Sequence, residues 1–238
     1  MAVRIKVCGI TRCEDAELAV GLGADFIGLN FYPPSPRCLT IESAVEIARI
    51  VKGRAQLVGV FVNAARAYVT ERLESLQLDL LQFHGDEDDD ALRGWPVPVI
   101  RALRLRSDAA LDAIDLGAIK ADFVLIDTFH PQLFGGTGQA RRLDALGALD
   151  LSRVFVSGGL APDNVAEAAA SNPYALDVAS GVEAAPGIKD AGKLRSFVAN
   201  ARSRKSCSVN SESSLDSSPE PSPEFSPGPS HANAKLSR

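Results

Sequence analysis

Two spacings of hydrophobic residues alternate along the first 202 residues of the chain. Short apolar runs, rich in β-branched and aromatic residues, occur at Val3–Cys8, Phe26–Asn30, Gln56–Val62, Leu80–His84, Val97–Leu103, Phe123–Asp127, Val154–Ser157 and Ala175–Ser180. Their lengths and flanking turn residues are those of strands. Between them, apolar positions recur every three or four residues, as in Asp15–Leu22, Ile41–Val51, Val69–Leu76 and Asp190–Ala201. That is the spacing of an amphipathic helix. Thr40 stands where an N-cap hydroxyl is needed, and Gly21 and Gly23 close the first helical stretch. The segment between the fourth and fifth runs is short and only weakly helical in pattern.

The alternation predicts an α/β fold: a (β/α)8 TIM barrel, formed as a single domain by residues 1–202. About 200 residues is the compact end for that architecture. A doubly wound sheet is the rival arrangement. Its dinucleotide-binding form needs Gly-x-Gly-x-x-Gly after a strand and leading into a helix. Here Gly21-Leu22-Gly23 precedes a strand instead, which is the place of a helix C-cap.

Composition changes after about Arg204. From Ser206 to Arg238 the chain is mostly Ser and Pro, with Leu215 and Phe225 as isolated large apolar residues. Such a stretch buries too little apolar surface to offset its ordering entropy, so residues 203–238 are expected to form a disordered tail. The whole chain is 46 % hydrophobic with a formal net charge of −5. No basic balance draws it to nucleic acid or to an anionic membrane. Cys8, Cys13, Cys38 and Cys207 form no CxxC pair and no zinc-ligand spacing. No metal site and a reducing, cytoplasmic setting are therefore expected. Charges interrupt the N-terminal apolar stretch, so it is not read as a secretory signal, and no run is long enough to span a bilayer.

In a barrel the reactive groups lie at the carboxyl ends of the strands. Side-chain alternation directs Lys6 and Cys8 inward on the first strand, Gln82 and His84 on the fourth, and Phe123, Leu125 and Asp127 on the sixth. Cys8, His84 and Asp127 thus converge on one mouth. Alone, each has a plainer account: a small buried thiol, a structural histidine, a turn aspartate. The seventh strand ends in Ser157-Gly158-Gly159-Leu160 and the eighth in Ala179-Ser180-Gly181-Val182. Barrels often hold a phosphate on backbone N–H groups between those two loops. Thr128 to Gly138, with three glycines near its end, reads as an active-site lid and lacks the Lys-Ser/Thr of a P-loop. Arg37 ends a loop stiffened by Pro33, Pro34 and Pro36, a setting that suits a planar carboxylate.

Taken in order, these residues lie in motifs that resemble the phosphoribosylanthranilate isomerase family of tryptophan biosynthesis. The motifs are Lys6-Val-Cys-Gly-Ile-Thr11, Ser35-Pro-Arg37, Gln82-Phe-His-Gly85, Asp127-Thr before Gly135-Gly-Thr-Gly138, Ser157-Gly-Gly-Leu160, Asp177-Val-Ala-Ser-Gly-Val-Glu183 and Pro186-Gly-Ile-Lys-Asp190. The resemblance implies an Amadori rearrangement of N-(5-phosphoribosyl)anthranilate, without metal or cofactor. It implies Asp127 as general acid toward the ring oxygen and Cys8 as general base toward the C2 proton. Arg37 would hold the anthranilate carboxylate, and Gly158, Gly159, Ser180 and Gly181 the phosphate, with His84 also at the substrate. Lys6, about 7 Å along the strand from Cys8, is expected to favour the thiolate. The partner is then a small phosphorylated substrate, bound by a monomer or homodimer.

Two stretches depart from the family pattern: Gln139 to Ala145 in place of an aromatic-containing stretch, and Ala179 in place of a common serine. Two other functions compete. The related isomerase of histidine biosynthesis resembles a two-aspartate design, with an aspartate where Cys8 stands here. A non-catalytic barrel binding a phosphoribosyl ligand would not need Cys8 and Asp127 together.

Overall fold

The computed structural model describes residues 3–105, 114–127 and 149–203. The lid and the Ser/Pro-rich tail beyond Ser203 lie outside these residues. Eight parallel strands close into a barrel in sequence order: β1 (Arg4–Cys8), β2 (Phe26–Asn30), β3 (Gln56–Phe61), β4 (Leu80–Phe83), β5 (Val99–Arg104), β6 (Phe123–Asp127), β7 (Val154–Ser157) and β8 (Ala175–Val178). Helices α1 (Cys13–Gly21), α2 (Ile41–Val51), α3 (Arg66–Leu76), α4 (Val165–Ala170) and α5 (Ala191–Arg202) lie between and after them. A two-stranded antiparallel hairpin, β9 (Glu183–Ala185) and β10 (Ile188–Lys189), follows β8. No helix among the described residues is long and apolar enough to cross a membrane.

Local chemistry sets the element ends. The Thr40 hydroxyl accepts from Ser43 N at 3.3 Å and starts α2. After α1, the Leu22 and Gly23 amides donate to Leu18 O and Val20 O, with Gly23 at φ +81°. That is a C-terminal cap, as the spacing of the glycines predicts. The fifth strand starts at Val99 rather than Val97, because Pro96 and Pro98 have no N–H to give a ladder. The eighth ends at Val178 rather than Ser180, because the backbone turns at Ala179 (φ −126°, ψ −85°). The segment from His84 to Pro98 contains no helix. Its acidic residues serve turns instead: Asp88 accepts from Ala91 N at 2.9 Å, and Glu87 from Gly85 N at 2.8 Å.

Alternation sorts the strand residues into two cores. Ile5, Val7, Ile27, Leu29, Leu81, Phe83, Val124, Ile126, Val156 and Leu176 face outward, in one cluster with Ala16, Ile47, Val69, Leu194 and Phe197 of the helices. Phe26, Val58, Leu80, Ile100, Ala102, Leu125, Phe155 and Ala175 fill the barrel itself. Phe26 and Phe155 meet edge to face at 5.2 Å. Fully burying each such side chain stabilises the fold by roughly 1.5–3 kcal/mol. Four of the strands then turn polar toward their carboxyl ends: Leu80 gives way to Gln82, Leu125 to Asp127, Phe155 to Ser157, and Ala175 to Asp177.

Charge closes the barrel. Lys6 on β1 is fully buried, and its Nζ lies 2.8 Å from Asp177 Oδ1 on β8, where Lys6 and Asp177 are register partners. At the opposite rim an aspartate just before a strand accepts the amide of the preceding strand. Asp25 takes Ile5 N at 2.8 Å, Asp79 takes Leu57 N at 2.7 Å, and Asp122 takes Val99 N at 2.8 Å.

Removing one member of a buried pair leaves its partner's charge uncompensated. Lys6→Met is therefore expected to cost about 3–5 kcal/mol in denaturant unfolding, and adding Asp177→Asn should restore part of that loss.

Candidate active site

Cys8 is the last residue of β1, and the chain leaves it under firm control: the Gly9 and Ile10 amides both donate to Gly28 O, at 2.9 and 3.2 Å. Burial pushes the Cys8 thiol up from its ordinary range. The ammonium of Lys6 pulls it back, the Asp177 carboxylate pushes it up again, and Lys189 pulls it down, with the net shift upward. Lys6 thus acts on the sulfur in the expected direction, favouring the thiolate, but burial outweighs it. Lys6 is held fully charged by its contact with Asp177, despite a burial that works against the charge. Its field on the sulfur is thus partly cancelled by the carboxylate it pairs with.

Asp127 ends β6, and its main-chain oxygen accepts from Leu105 N at 2.9 Å. His84 Nε2 lies 3.6 Å from Asp127 Oδ2. On the other side of the ring, His84 Nδ1 is 3.0 Å from the Gln82 side-chain amide nitrogen. With Nδ1 accepting that bond, Nε2 carries the proton and presents it toward the aspartate. Gln82 of β4, His84 just after it and the last residue of β6 are thus brought together, as alternation predicts.

Between β6 and β1 in the barrel order stand β7 and β8, and their loops form the third part of the site. Gly158, Gly159, Ser180 and Gly181 line a cavity of about 130 Å3, together with Asp127, Ser157 and Asp177. The loops pack backbone to backbone: a Cβ on Gly181 would lie 1.9 Å from Leu160 O. Only glycine permits that approach. Asn164 braces the first loop, donating to Gly159 O at 2.9 Å and accepting from Ala161 N at 2.8 Å. Ser157 Oγ lies 3.2 Å from Asp177 Oδ2, extending the Lys6–Asp177 pair toward β7.

Arg37 reaches the mouth from the loop after β2. It is already paired: Nε and Nη2 fork onto Glu183 Oε1 and Oε2 at 2.8 and 2.6 Å. Lys189 Nζ binds Glu183 Oε1 at 3.0 Å, Cys8 O at 2.7 Å and Ala179 O at 3.1 Å. Burial pushes Glu183 up, but the bonds and charges of Arg37 and Lys189 outweigh it and hold the carboxyl below its ordinary range. Asp177, Glu183 and Lys189 had been given no role from the sequence alone. Asp177 could have been found from its inward parity on β8, but Glu183 and Lys189 belong to a hairpin with too few residues to show a period. Among the described residues, no group of three or more His, Cys, Asp or Glu is placed to hold a metal ion.

Comparison with known proteins agrees with this arrangement. The family model described as N-(5'phosphoribosyl)anthranilate (PRA) isomerase matches residues 5–200. The N-(5'-phosphoribosyl)anthranilate isomerase of Pseudomonas fluorescens is 45 % identical over 198 residues, covering 83 % of this chain and 97 % of that protein. Among solved structures, the phosphoribosyl anthranilate isomerase of Thermus thermophilus superposes with a TM-score of 0.72 at 37 % identity, over 83 % of this chain and 98 % of that one. Another, at 33 % identity and a TM-score of 0.69 over 84 % and 98 % of the two chains, is an isomerase in complex with reduced 1-(o-carboxyphenylamino)-1-deoxyribulose 5-phosphate. A barrel with these residues at its mouth, matched along nearly all of its length, belongs to the phosphoribosylanthranilate isomerase family.

Proposed function

We propose that this chain converts N-(5-phosphoribosyl)anthranilate to 1-(2-carboxyphenylamino)-1-deoxyribulose 5-phosphate in tryptophan biosynthesis, using Asp127 as acid and Cys8 as base. One observation carries the assignment of roles. The strands bearing Asp127 and Cys8 flank the two strands whose glycine loops enclose the cavity, so a sugar anchored there by its phosphate lies between the two groups.

The rearrangement is redox-neutral overall and needs only proton transfers. Asp127 gives its proton to the furanose ring oxygen as the C1–O bond breaks, and the anilino nitrogen lone pair forms the C=N bond. Cys8 removes the C2 proton, and the electron pair of that C–H bond neutralises the iminium to give an enolamine. Proton return to C1 and loss of the enol proton yield the ketone. His84, whose Nε2–H faces Asp127, orients the carboxyl that performs the first step. Arg37 receives the anthranilate carboxylate, and backbone amides around Gly158, Gly159, Ser180 and Gly181 receive the phosphate.

The raised thiol fits a base in one respect. A thiolate that is harder to form is a stronger acceptor once formed, and Lys6 and Lys189 limit how far burial drives it up. The chemistry is assigned to the barrel, residues 1–202, and the family match ends within it at residue 200.

Cys8→Ser and Asp127→Asn are each expected to lower kcat by about a thousandfold or more, while inorganic phosphate still binds. Near-normal turnover in either variant would reject that residue's role. The alkylation rate of Cys8, followed against pH by peptide mapping, should have its midpoint above the ~8.5 of an unperturbed thiol. A midpoint at or below that value would contradict the burial argument. Truncation before Ser206 should leave kcat/KM unchanged, and a large loss would assign the tail a part in catalysis.

A further inference from the structure

We infer that Glu183 is the positioning residue for Arg37, and that it sets the enzyme's preference for a substrate bearing an aryl carboxylate. The inference rests on the reading of Arg37 as the carboxylate holder and deepens it.

Glu183 is fixed before Arg37 reaches it. Its main-chain oxygen accepts from Lys193 Nζ at 2.8 Å, and the preceding carbonyl, Val182 O, accepts from Asp190 N at 2.8 Å. Its side chain is almost fully buried, with Lys189, its register partner in the hairpin, on Oε1. Arg37 comes from a separate element, 146 residues away in sequence, on a turn in which its own amide donates to Ser35 Oγ at 3.1 Å. Its aliphatic stem crosses Gly9, the neighbour of Cys8, so closely that a Cβ there would lie 2.5 Å from Arg37 Cδ.

The fork onto Glu183 uses Nε and Nη2. The remaining amine, Nη1, has no hydrogen-bond partner among the described residues, and the side chain keeps about a quarter of its surface exposed. One edge of the guanidinium is thus fastened to the protein, and the adjoining end that carries Nη1 is left for an anion. A planar cation fastened along one edge loses little freedom on binding a second carboxylate. Lys189 extends the control: the same ammonium that seats Glu183 holds the Cys8 carbonyl, so the carboxylate-binding edge and the base share one anchor. Neutralising Glu183 frees Arg37 to swing, which weakens binding of the carboxyphenyl end without touching the phosphate end.

The test compares Glu183→Gln, Arg37→Met and the double variant. Glu183→Gln should raise KM by about tenfold while kcat stays within about threefold. Its affinity for reduced 1-(o-carboxyphenylamino)-1-deoxyribulose 5-phosphate should fall by a similar factor. Affinity for ribulose 5-phosphate, which lacks the ring and its carboxylate, should stay within about twofold. Adding Glu183→Gln to Arg37→Met should cost nothing further, because Glu183 acts through that arginine.

A folded Glu183→Gln protein with wild-type KM, losing only thermal stability, would overturn the inference. So would equal losses with and without Arg37. If Arg37→Met itself leaves KM and analogue affinity unchanged, the carboxylate role of Arg37 falls, a result distinct from failure at Glu183 alone. Should Glu183→Gln not fold, Glu183→Gln with Lys189→Met removes both charges, and the affinities for the two ligands are compared as before. Equal affinity for the carboxylate-bearing analogue in that pair variant and the wild type would again refute it.

Discussion

The contact between Lys6 and Asp177 ties the first strand to the last, and it does so with full charges inside the protein. Two ions taken from water are tolerable only when each meets the other at hydrogen-bond distance and other donors complete the shell. Here the 2.8 Å contact and Ser157 Oγ supply that shell. The same pair governs the site. It stands beside Cys8, so the sulfur experiences an ammonium and a carboxylate together rather than a lone cation. The strand closure and the basicity of the thiol are consequences of a single arrangement of charge.

This arrangement divides the barrel along its axis. Below the pair, aromatic and aliphatic side chains fill the interior. Above it, the inward positions carry acids, amides and hydroxyls. The polar groups are affordable because nearly every one is spoken for: Gln82 by His84, Asp177 by Lys6, Glu183 by Arg37 and Lys189. Gln82 Oε1 is an exception, buried beside the His84–Asp127 contact with no hydrogen-bond partner among the described residues.

Much of this was written in local pattern. Period-two alternation placed Lys6, Cys8, Gln82 and Asp127 on the inner face because the outer face of each strand is continuously apolar. Thr40 and Gly23 marked helix ends because their roles depend on near neighbours alone. What escaped was long-range. Arg37 and Glu183 are 146 residues apart, and nothing in either local stretch says that they pair. That Asp177 offsets the pull of Lys6 on Cys8 escaped for the same reason, since the two paired residues lie 171 positions apart. The β9–β10 hairpin is too short to have a period, and helix α4, at six residues, spans fewer than two turns.

The aspartates at the amino-terminal rim carry one more implication. Asp25, Asp79 and Asp122 pin β1, β3 and β5 by their main-chain amides, at the end of the barrel farthest from Cys8 and Asp127. A scaffold fastened from beneath leaves its upper loops free to diverge during descent. Substrate range in such a lineage can drift by loop replacement, because the three aspartates that pin these strands from beneath are not groups that meet the substrate.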